Sequence, residues 1–96
     1  MADDKQLYQQ KLQAELDAWQ ADIDSLSAKT RLATADSKIE MQKQLEDLKK
    51  KRHAAKQKAD ELREASGEAW HEVKKGLEKA WPAVANGFKA AREKFQ

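Results

Sequence analysis

"TRLATADSKIEM", from Thr30 to Met41, decides how this chain of 96 residues is organised. Upstream of it, Leu12, Leu16, Trp19, Ile23, Leu26, Thr30 and Ala33 alternate spacings of four and three, which places them on one face of a helix in heptad fashion. Downstream, Met41, Leu45, Leu48, Arg52, Ala55, Ala59 and Leu62 repeat the device with a poorer seam. The step from Ala33 to Met41 is eight residues rather than seven, so the two seams are out of phase. A stutter within one long helix or a turn between two helices would both produce that shift. Ser37 and Glu40 have the spacing of a capping box, in which each side chain satisfies a free amide at a helix start.

Charge favours the turn. Residues 1–36 hold seven acids and four bases, whereas residues 37–66 hold nine bases and six acids. Folding one third back on the other near Ala35 opposes Asp17 to Arg52 and His53, Asp22 to Lys49, and Glu15 to Lys56. Each exposed pair contributes at most about 1 kcal/mol, so these charges select a pairing rather than hold a fold. Helical segments are expected over 4–34, 37–65 and 68–95.

Composition supports that reading. Charged residues make up 38% of the chain, yet the net charge is only +2, too small for disorder by self-repulsion. Leu, Ile, Val and Phe together number fifteen, while Ala, Glu, Lys, Gln and Arg abound. Such residues lose little side-chain entropy in a helix. The expectation is an all-α protein: long amphipathic helices in an antiparallel hairpin or a three-helix bundle or coiled coil. Domains this small with thin seams are marginal alone, so self-association, with a dimer favoured, is expected. No cysteine is present, which excludes disulfides and thiolate metal sites. The start "MADDKQLYQQ" lacks the apolar stretch of a signal peptide, and no apolar run suits a membrane span. A cytoplasmic protein is expected.

The last third carries the bulky aromatics. At a lag of eleven, Ala69-Trp70 recurs as Ala80-Trp81, Val73 as Val84, and Gly76-Leu77 as Gly87-Phe88, with Ala91-Arg92 opening a partial copy that closes at Phe95. Eleven residues fill three helical turns. Trp70, Val73, Leu77, Trp81, Val84, Phe88 and Phe95 therefore form a bulky flank, and Ala69, Gly76, Ala80, Gly87 and Ala91 a ridge of small residues beside it. A helical glycine is about 0.5–1 kcal/mol less favourable than alanine, so this ridge predicts close approach of another helix. Gly67, in "EASGEAW", suits a left-handed link between helices. Pro82 predicts a kink after Trp81 or the first turn of a separate last helix.

Chemistry is sparsely encoded. Glu68-x-x-His71, with Asp60, Glu64 and Glu72, has the spacing of a bundle di-metal site, but such a site needs two motifs and two further glutamates. An exposed charged face is the expected role, with no cofactor or metal. The basic run "KKKRHAAKQK", Lys49 to Lys58, is bracketed by acids and has no interleaved aromatics for stacking on bases, so nucleic acid is not the expected partner. Aromatics on one face with Lys74, Lys75 and Lys79 on the other would suit a membrane surface. No phosphate-binding loop or nucleophile constellation appears, so no enzyme is expected.

At "ELREASGEAWHEVKKGLEKAW" the sequence resembles a family of small bacterial coiled-coil proteins. The likeness comprises Leu12, Leu16 and Trp19, the charged middle, Ser66-Gly67, and an Ala-Trp pair repeated after eleven residues, and it covers nearly the whole chain. Pro82 departs from the polar residue usual after the second tryptophan. The resemblance implies a stress-linked role for some members and carries no catalytic residues. Together these readings predict a non-enzymatic interaction protein. It would dock a protein partner or its own copy through Trp70, Val73, Gly76, Leu77, Ala80, Trp81, Val84, Gly87, Phe88 and Phe95, with a lipid surface as the alternative partner.

Overall fold

A computed structural model describes residues 2–95, with side chains from Asp4 onward. It contains three long helices: α1 (Ala2–Leu32), α2 (Ala35–Glu64) and α3 (Gly67–Lys94). Each coincides with an expected segment to within about a turn. The stretch Thr30–Met41 is a turn, not a stutter. Leu32 ends α1, the Ala33 amide donates to the Thr30 carbonyl at 3.2 Å, and Thr34 is extended at φ −66°, ψ 162°. The capping box is not formed. α2 begins at Ala35, which puts Ser37 inside its first turn, and Glu40 reaches instead to Lys94 across the bundle. Thr34 takes the N-cap position with no side-chain cap.

The second link is equally short. Ala65 and Ser66 are extended, and Gly67 has φ 59°, the left-handed region that its lack of a Cβ makes accessible. α3 then runs through Pro82 as one helix, so no separate last helix forms. Pro82 sits on the exposed side, where the carbonyl it leaves without an amide partner can be solvated.

The helices form an up-down-up bundle about 51 Å long and 19 Å across. Arg52 Nε donates to the Leu16 carbonyl at 3.0 Å and Arg63 Nε to Gln9 Oε1 at 3.4 Å, which fixes α1 and α2 as antiparallel. That orientation agrees with the charge argument, but the partners differ. Asp22 pairs with Arg92 at 2.5 Å rather than Lys49, and Glu15 accepts from Trp81 rather than meeting Lys56. Asp17 accepts from Gln13 of its own helix. The reason is α3, which lies parallel to α1 and brings its own donors to those carboxylates.

The seams meet in one core. Leu12, Leu16, Trp19, Ile23 and Leu26 from α1 join Met41, Leu45, Leu48, Ala55, Ala59 and Leu62 from α2 and Trp70, Leu77, Trp81, Phe88 and Ala91 from α3. Leu16, Leu48, Leu62, Leu77 and Phe88 are fully enclosed. The bundle is not evenly spaced. The α1 and α3 backbones stand farther apart than either does from α2, and Trp19, Trp81 and Phe88 fill the wider gap. Thr30 is buried but satisfied, its Oγ1 donating to the Leu26 carbonyl at 2.7 Å.

Candidate interaction surface

The aromatic stripe of α3 faces α1 and α2. Trp70, Leu77, Trp81 and Phe88 are buried, Val73, Val84, Gly87 and Phe95 are half-buried, and Gly76 and Ala80 are exposed. Trp70 and Trp81 are covered by the same chain. Each large ring gains more by sealing the α1–α3 gap than by standing in water.

The two indoles of α3 differ in their polar contacts. Trp81 Nε1 donates to a Glu15 carboxylate oxygen. Trp70 Nε1 is buried and meets no acceptor among the described residues. Tyr8 approaches the Trp70 ring edge-on, with centroids 6.2 Å apart, and the ammonium groups of Lys5 and Lys74 lie 5.1 and 5.2 Å from that ring. Burial, then the charges of Glu78 and Glu15, push the Tyr8 phenol above its ordinary pKa.

Three lysines of the basic run pair with acids of their own helix. Lys51 pairs with Asp47 at 2.9 Å, Lys56 with Asp60 at 3.0 Å and Lys58 with Glu61 at 3.4 Å. For Lys56, Asp60 takes the place of the expected Glu15, because a helix holds residues three or four apart close together. Glu68 and His71 sit on the exposed outer side of α3. Among the described residues no three His, Asp or Glu side chains gather as metal ligands.

What the bundle leaves open is a groove between α2 and α3. It encloses about 680 Å³ over a floor of Ala54, Ala55, Leu77, Ala80, Trp81 and Val84. It continues as a second stretch of about 560 Å³ along Ala69, Val73 and Gly76. Lys58 and Glu61 edge both parts, with Glu64 beside the first and Glu68 and Glu72 beside the second. Close approach along the small-residue ridge is not found within the chain at Gly76, where an added Cβ would meet nothing within 4 Å. At Gly87 the neighbour is a side chain: Lys51 Nζ lies 3.2 Å from where a Cβ would stand. Sequence reasoning found the α3 wall of this groove but missed the α2 wall, because Ala54, Lys58 and Glu61 carry no pattern distinguishing them from any solvated flank.

A smaller void of about 40 Å³ lies between α1 and α3, under the Asp22–Arg92 pair and beside Leu26, Phe88 and Ala91. It is a packing gap of about the size that holds a water. Among the described residues no helix is long and apolar enough to cross a membrane. No family, no curated protein and no solved structure matches the chain.

Proposed function

We propose that the chain is a non-enzymatic helical interaction protein whose docking surface is the α2/α3 groove. The observation that supports this reading is the apolar groove itself, open along the face that α1 does not cover. Its floor combines the exposed Gly76 and Ala80 with the half-buried Val73 and Val84, a surface on which another helix can lie close. The aromatic residues act from behind: Trp81 and Leu77 set the depth of the groove while their other sides hold the core. A stress-linked role rests on the resemblance of the sequence motifs alone.

The test is a comparative capture from native lysate with the intact chain and with Ala80→Arg, which puts a long cation on the groove floor at an exposed position. A protein retained by the first and lost by the second supports the reading. Identical retention by the two overturns it.

A further inference from the structure

We infer that the first turn is a hinge: α1 and α2 join into one continuous helix, and two copies of this chain then exchange α1, each α1 packing on the α2 and α3 of the other copy. Three observations carry it, and none depends on the α2/α3 groove being a docking surface.

The first is the phase of the two seams. By heptad counting they are offset, but a straight α-helix has about 3.6 residues per turn rather than 3.5. Each seam position of α1 returns in α2 after 29 residues: Leu12 as Met41, Leu16 as Leu45, and so on to Ala33 as Leu62. That lag is eight whole turns to within about 20°. On one unbroken helix both seams therefore lie on a single face. The closed hairpin has no need of this, since a turn lets each helix take its own rotation. Exchange does need it, because both halves of one long helix must face the antiparallel long helix of the other copy.

The second is the turn itself. Only Ala33 and Thr34 separate α1 from α2. Neither is glycine or proline, and neither has a positive φ. Thr34 already has the φ of a helix, −66°, and departs from one in ψ, 162°. It makes no side-chain cap, and the Lys38 amide donates to its carbonyl at 2.7 Å as within a helix. Leu32 is 90% exposed and anchors the turn to nothing. The second link is built differently. Ala65 and Ser66 are both extended, and Gly67 is left-handed and would weaken any helix passing through it.

The third is what exchange preserves. Each α1 meets on the other copy the groups that it meets in its own chain: Arg52 at the Leu16 carbonyl, Phe88 stacked on Trp19, Arg92 beside Asp22. Position 34 lies midway between 16 and 52, so the turn of one copy crosses that of the other. Swapping an identical element needs no new interface, and concentration decides between the two forms. The dimer is a rod about twice the 51 Å length of the bundle.

The experiment is refolding from urea at low micromolar and at several hundred micromolar chain, read by mass measurement and small-angle X-ray scattering. The intact chain is expected to give monomer at the low concentration and, at the high one, an elongated dimer that separates slowly on dilution. Ala35→Pro suits the closed form, because proline fits a first helical position and the preceding Thr34 is already extended. It is expected to melt no lower than the intact chain and to weaken dimerisation at least about a hundredfold, since it breaks a continuous helix. Thr34→Ala is expected to strengthen dimerisation about fivefold, alanine being the better helix former at both hinges. A monomer after refolding at every concentration overturns the inference. A dimer no longer than the single bundle does so too, as does an Ala35→Pro chain that dimerises like the intact one. A dimer share that Thr34→Ala leaves unchanged also overturns it, whatever Ala35→Pro does to folding.

Discussion

Trp19 of α1 and Phe88 of α3 stack face to face, their ring centroids 5.1 Å apart and their planes 8° from parallel. Trp81 closes on the same indole from 4.9 Å. This trio spans the wide side of the bundle. Removing either stacked ring should leave a cavity that α1 and α3 cannot collapse to fill. Trp19→Ala and Phe88→Ala are each expected to lower stability by about 3–5 kcal/mol. The double variant is expected to lose less than the sum, because the first deletion already removes their contact. Urea unfolding followed by helical circular dichroism measures all three.

The two tryptophans of α3 should respond unequally to loss of the indole N–H. Trp81→Phe strands the Glu15 carboxylate, which otherwise accepts the indole proton. Trp70→Phe removes a buried donor that has no acceptor among the described residues, and deleting such a group offsets part of the lost ring area. Trp81→Phe is expected to be the more destabilising, by about 1 kcal/mol. Equal losses in chemical unfolding would argue against the Glu15 contact.

Glycine positions separate by backbone geometry. At Gly67 a side chain would be strained at φ 59°, and Gly67→Ala should destabilise by about 1 kcal/mol or more. Gly76→Ala, with open space around its Cβ, should stabilise by about 0.5–1 kcal/mol. Melting temperatures moving in opposite directions would check both.

Pro82 interrupts the hydrogen-bond ladder of α3 on its exposed side. Pro82→Ala restores one amide donor and relieves the clash with the preceding turn, for a gain of up to about 3 kcal/mol. Amide exchange around Glu78–Trp81 should slow in the same variant.

Two groups give the bundle opposite pH limits. Glu40 is held below its ordinary range by the hydrogen bond and then the charge of Lys94. Its contribution is present above the unfolded carboxyl value and lost as pH falls through the lowered folded one. Tyr8 is shifted upward. Its contribution is complete below the ordinary 10.0 and lost as pH rises through the raised folded value. Lys94→Gln should flatten the acid limb of a stability profile, and Tyr8→Phe the alkaline limb.

The helices, their seams and the first turn were all legible in the order of residues along the chain. Heptad spacing marked Leu12, Leu16, Trp19, Ile23 and Leu26 as core, and all five are buried. The phase shift between Ala33 and Met41, read with the charge of the two thirds, led to a hairpin. These properties are local: which side of a helix a residue occupies follows from its position along the chain. Which carboxylate meets which cation, and what covers the aromatic stripe, depended on how the three helices pack. Asp22 and Glu15 turned to α3, and Trp70 and Trp81 turned inward, because a third helix lay within reach of α1. A residue's partner depends on where a distant segment comes to rest, and exposed pairs differ by too little energy for charge alone to choose between two neighbours. The α2/α3 groove belongs to the same class. It is a space between helices, and no single helix's periodicity describes it.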